Sequence, residues 1–146
     1  MAGTVAIGIQ QFNEIRKKGY FYIDKTAFIR EWWEKGDSVT LITRPRRFGK
    51  TLTMSMVEQF FSVKYAGQQN LFEGLAIWKT KAYREIQGTY PVISLSFANL
   101  KEPSYELTRQ KVCDQLQQLY TEHAYIWESG ILKGADKSFF ERMLHN

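Results

Sequence analysis

The chain has 146 residues, 44% hydrophobic and 24% charged, a balance ordinary for a soluble globular domain. No apolar run approaches the length of a bilayer span, the start Met1-Ala-Gly-Thr-Val-Ala-Ile lacks the basic head of a signal peptide, and a lone Cys113 excludes an internal disulfide, so a cytoplasmic chain with no membrane partner is expected. The 20 Lys and Arg exceed the 15 Asp and Glu by five, a modest excess that by itself reads as solvated surface.

In chain order, the pattern predicts a short helical or irregular piece from Gln10 to Lys17, a short strand near Tyr20 to Ile23, and a helix from Lys25 to Lys35. Asp24 is placed to cap that helix and Gly36 to end it. Val39 to Thr43 has the β-branched composition and length of a strand buried in a parallel sheet. A second helix, Thr51 to Val63, carries Leu52, Met56, Phe60 and Val63 at spacings of three or four, a stripe expected to pack on the sheet. Short helices are expected between Asn70 and Ile86, a strand from Val92 to Phe97, and helices from Ser104 to about Glu128 and from Asp136 to His145.

Between the Val39 strand and the Thr51 helix lies Arg44-Pro-Arg-Arg-Phe-Gly-Lys-Thr51. The phosphate-loop pattern GxxxxGK[ST] needs a glycine where backbone approaches phosphate, a lysine for the β/γ oxygens and a hydroxyl for Mg²⁺. Gly49, Lys50 and Thr51 fill those last three positions, and Lys50 is the expected catalytic residue. Arg44 stands where the first glycine belongs, and Pro45 biases it toward extended geometry, so no positive φ is required there. The amides expected to meet phosphate belong to Arg46, Arg47, Phe48, Gly49, Lys50, Thr51 and Leu52, and Thr51 is the expected ligand of Mg²⁺ bound with ATP. The competing reading of the same residues is a solvated basic turn, but strand, glycine loop and helix come in the order phosphate binding requires.

This loop, together with Gly19-Tyr-Phe-Tyr-Ile-Asp-Lys-Thr26, Phe72-Glu-Gly-Leu75 and Tyr90-Pro-Val-Ile-Ser-Leu-Ser-Phe97, resembles the predicted AAA-ATPase-like family of bacteria through nearly the whole chain. The resemblance implies an α/β fold, a P-loop NTPase of the additional-strand type, commonly followed by a domain similar to PD-(D/E)XK nucleases. It also implies that Ile7 to Phe12, with Phe12 foremost, lies over the adenine. The family's second acidic motif, an apolar strand ending in Asp, does not occur between the loop and Asn146; the only apolar run ending in Asp, Tyr20-Phe-Tyr-Ile-Asp24, precedes the loop. Residues 1–146 are therefore expected to form a single truncated domain with an incomplete parallel sheet and flanking helices, binding nucleotide while hydrolysing it poorly. An incomplete sheet leaves an open edge, a route to self-association.

Other residues carry blander expectations. Cys113 reads as a small core residue, His123 and His145 as surface or helix-end residues, and Phe28, Trp32 and Trp33 as core. Two further functions stand beside the ATPase reading: a module that senses nucleotide without hydrolysing it, and a basic domain gripping nucleic acid through Arg16-Lys-Lys18 and the arginines of the loop. A guanine-nucleotide protein is disfavoured, because no Asn-Lys-x-Asp sequence is present.

Overall fold

In the computed structural model, residue 4, residues 8–45 and residues 49–145 are described, and the chain divides into two units, Met1–Val92 and Ile93–Asn146. The first unit contains α1 (Phe12–Lys17), α2 (Ala27–Lys35), α3 (Lys50–Phe61) and α4 (Lys81–Ile86), with single 3-10 turns at Val63–Tyr65, Gln69–Leu71 and Ala76–Lys79. The second contains α5 (Tyr105–Glu122), α6 (Ala124–Glu128) and α7 (Gly134–His145).

The core of the first unit is aromatic. Phe12, Phe60 and Phe72 are fully buried with Ile29, Met56 and Leu71 around them. Phe72 stacks on Phe12 with ring centroids 5.1 Å apart and meets Phe60 edge-on, also at 5.1 Å, the two arrangements that the ring quadrupoles favour. A buried polar network docks α1 on α3: Ser55 Oγ accepts from the Phe12 N–H at 3.0 Å and donates to Gln11 Oε1 at 3.2 Å, while the fully buried Gln59 donates through Nε2 to Ser55 Oγ at 3.0 Å. Arg16 completes the docking, its guanidinium donating to the carbonyls of Leu71 and Glu73 at 2.8 Å each. Gly88 closes the unit. Its N–H donates to the Phe60 carbonyl at 2.8 Å, and a Cβ there would stand 2.7 Å from Ala66 Cα, so only glycine fits.

The predicted helices are found with small shifts of their ends. Gly36 terminates α2 in the left-handed conformation and donates its N–H to the Trp32 carbonyl. The expected single helix from Ser104 to Glu128 is divided at His123 into α5 and α6. Ser104 caps α5 by accepting from the Leu107 N–H at 3.3 Å. Cys113 is exposed on α5 rather than buried.

The expected α/β fold with a parallel sheet is overturned. Among the described residues there is no sheet, and one isolated parallel bridge joins Ser62 to Tyr90. Val39 to Thr43 and Val92 to Phe97 take no regular structure, and Val39, Leu41 and Ile93 are 86%, 83% and 75% exposed. The physical reason is that β-branched residues favour a strand only through the neighbouring strands that cover them and bond their backbone. Without that ladder, composition alone does not make a strand. The apolar stripe of α3 consequently packs on aromatic rings and not on a sheet, with Met56 and Phe60 buried and Leu52 half-buried, while Val63 falls beyond the end of the helix and is exposed. The open sheet edge expected to drive self-association is likewise absent among the described residues.

Candidate functional site

The basic loop ends in a glycine whose conformation has a clear cause. Gly49 is the N-cap of α3 at φ 77° and ψ 20°, left-handed geometry that a side chain would strain. With glycine in that position no side chain caps the helix, so the amides of Lys50, Thr51 and Leu52 are not satisfied as they would be after Ser or Asp. The first intrahelical bond is Thr53 N–H to the Gly49 carbonyl, 2.9 Å. Such a helix start, with no side-chain cap, presents donors and a positive dipole end, the chemistry that attracts an anion. Lys50 and Leu52 are half-buried in the first turn of α3 and Thr51 is exposed there, so the ammonium and hydroxyl named from the sequence share one helix end. Arg46, Arg47 and Phe48 lie outside the described residues, as does Ile7.

Phe12 is elsewhere. It is fully buried between Phe72 and Tyr22, with its ring 5.3 Å from that of Tyr22, and has no face to offer a base. Its burial follows from position: it opens α1 against α3, where the aromatic core needs a ring. The expectation of adenine contact at Phe12 is corrected to a packing role.

A second motif converges on the same helix end. Asp24 Oδ1 accepts from the Thr26 N–H at 2.9 Å and from Thr26 Oγ1 at 2.6 Å, and Oδ2 accepts from the Ala76 N–H at 2.7 Å. Thr26 Oγ1 in turn accepts from the Ile77 N–H at 3.1 Å. Burial pushes the Asp24 carboxyl up, but these hydrogen bonds from Thr26 and Ala76, helped by the Arg16 charge, outweigh it and hold the group below its ordinary value of 3.8. The carboxylate therefore acts as a clasp between the start of α2 and the turn after Phe72-Glu-Gly-Leu75, a longer reach than the local helix cap expected of it. Between the two clasp residues stands Lys25, and a Cβ placed on Gly49 would lie 3.5 Å from Lys25 Nζ. Sequence reading passed over this lysine. The signal was its position inside the segment Ile23-Asp-Lys-Thr26, whose other polar members are explained by the clasp.

Elsewhere, a cavity of about 290 Å³ is lined by Arg30, Lys79, Thr80 and Tyr83 among others, none of them a residue of the basic loop. Among the described residues, no group of three His, Cys, Asp or Glu is placed to hold a metal ion, and no helix is long and apolar enough to cross a membrane.

The family described as "Predicted AAA-ATPase" matches residues 6–145. The chain belongs to this AAA-ATPase-like family. An "Uncharacterized protein in vnfD 5'region" from Azotobacter chroococcum mcd 1 is 37% identical to this AAA-ATPase-like chain over 97 residues, covering 62% of the chain and 16% of the relative. The chain thus matches only a small part of that relative's length. No solved structure matches the chain.

Proposed function

We propose that this AAA-ATPase-like chain binds ATP with Mg²⁺ at the start of α3. The observation that carries the reading is Gly49, left-handed and uncapped, followed directly by Lys50 and Thr51. The amides of Lys50, Thr51 and Leu52 receive phosphate oxygens, the Lys50 ammonium pairs with the β/γ oxygens, and the Thr51 hydroxyl, exposed in the first turn, takes a position on Mg²⁺. The residues present fit the group: three adjacent donors at a positive helix end, one cation and one hard oxygen ligand. When bound, Mg²⁺ neutralises the phosphate oxygens and favours attack at the terminal phosphoryl group.

Hydrolysis also requires a carboxylate to orient water. Asp24, next to Lys25 in the chain, already accepts three hydrogen bonds, two from Thr26 and one from Ala76, which occupy most of its lone pairs. Binding should therefore be readily measurable while turnover by these residues is slow.

Substitution Lys50→Ala tests the assignment by calorimetric titration with ATP and Mg²⁺. Loss of one charge-assisted contact is expected to weaken binding by roughly 10- to 100-fold with an unchanged helical spectrum. Unchanged affinity would refute the site. Salt-dependent DNA binding that survives the substitution would favour instead a basic nucleic-acid module.

A further inference from the structure

Lys25 is exposed, yet its backbone is fixed by bonds on every side. Its N–H donates to Tyr22 Oη at 3.3 Å, and that hydroxyl donates to Met56 Sδ on α3 at 3.2 Å. The residue before it, Asp24, holds Ala76, and the residue after it, the fully buried Thr26, holds Ile77. The clasp thus fixes the backbone from which the Lys25 side chain extends.

The side chain reaches the one place where a lone cation is least at home. Lys25 Nζ lies beside Gly49, at the positive end of the α3 dipole, and among the described residues no carboxylate pairs with it. A helix N-terminus attracts negative charge and disfavours an ammonium, so Lys25, Lys50 and the α3 amides together form a concentration of positive charge and hydrogen-bond donors that an anion would relieve. Lys25 Nζ stands at contact distance, 3.5 Å, from where a Cβ on Gly49 would lie, so the ammonium and the helix start adjoin.

We propose that Lys25 is a second phosphate-binding lysine, which reaches from the segment before α2 to the polyphosphate chain of the nucleotide held at Gly49 to Leu52. The proposal rests on the ATP site described above and adds a specificity to it. Two lysines from separate segments favour a polyanion over a monophosphate, because each further negative charge gains from both.

The test is calorimetric titration of the whole chain with ATP and Mg²⁺, and separately with inorganic tripolyphosphate, for the wild type, Lys25→Met and Lys50→Ala. Lys25→Met is expected to weaken both ligands by about 10- to 100-fold without moving the melting midpoint, as befits loss of one charge-assisted contact from an exposed side chain. A second measurement needs no variant: ATP with Mg²⁺ should protect Lys25 from acetylation, read by mass spectrometry, while Lys35 stays reactive. If Lys25→Met binds ATP like the wild type while Lys50→Ala does not, or if ATP protects Lys50 and leaves Lys25 reactive, the second lysine is refuted and the site stands. No binding of either ligand by the wild type overturns both.

Discussion

The two units of this chain are built on different physics. Met1–Val92 buries whole side chains, Phe12, Phe60, Phe72 and Ile29 among them, and ties its helices together with buried polar bonds through Ser55, Gln59 and Thr26. Among the described residues of Ile93–Asn146 none is buried, and its helices meet through half-exposed rings: Tyr120 edge-on to Phe140 at 4.8 Å, and Lys137 over Trp127 at 5.7 Å. Apolar burial is the main favourable term in folding, and a small unit that leaves its apolar residues half-wet opens at low free energy. A site that must hold several donors within tenths of an ångström belongs on the first kind of unit, and the basic loop and both candidate lysines are found there.

The comparison breaks most visibly at the aromatic centres. Phe60→Ala, which empties a fully buried position in contact with Phe61 and Phe72, should cost about 3–5 kcal/mol in urea unfolding, whereas Tyr120→Ala should cost about 1 kcal/mol or less. Trp32, Trp33 and Trp78 lie in the first unit and Trp127 in the second, so a Trp127→Phe background reports the first unit alone. Equal losses at the two sites would erase the distinction between the units.

Ser55→Ala should have the next largest effect, about 1–3 kcal/mol, because it leaves the Phe12 N–H without its acceptor and takes from the buried Gln59 amide the shortest of its three bonds, leaving only those to Gln11 and Asn13 at 3.3 Å. Hydrogen exchange at the Phe12 amide checks it directly, with faster exchange expected in the variant.

The smallest effect is a pH dependence from the Asp24 clasp. A carboxyl held below its ordinary value contributes stability that is present above its unfolded pKa, near 3.8, and lost as the pH falls through its lower folded pKa. The first unit should therefore weaken below about pH 4, and Asp24→Asn, which loses the acceptor for the Ala76 N–H, should be less stable at neutral pH and show a flatter acid limb. An acid limb as steep in the variant as in the wild type would remove the clasp from the account.

Helix-forming segments were legible because their signals are local. Gly36 ends α2, Ser104 begins α5, and the three-and-four spacing of Met56 and Phe60 marks the buried face of α3 without reference to any distant residue. The basic loop was legible for the same reason: Gly49, Lys50 and Thr51 are adjacent, and glycine at a helix start has its own conformational cause. Strands were not legible in this way. Val39 to Thr43 has strand composition, but a strand exists only with a partner, and composition holds no information about one. Phe12 was misplaced for a related reason, since a ring that stacks on a base and a ring that fills a core look alike until their neighbours are known.

By itself, then, the sequence determined where the helices lie, though not the break at His123, together with the basic glycine-lysine-threonine loop and the family to which the chain belongs. The tertiary structure decided that the apolar stripe of α3 meets aromatic rings rather than strands, that Phe12 is core, and that Lys25 stands beside Gly49. The division follows from range: helical hydrogen bonds and caps connect residues a few positions apart, whereas the separation of residues 25 and 49 closes only when Asp24, Tyr22 and Thr26 find their partners across the fold.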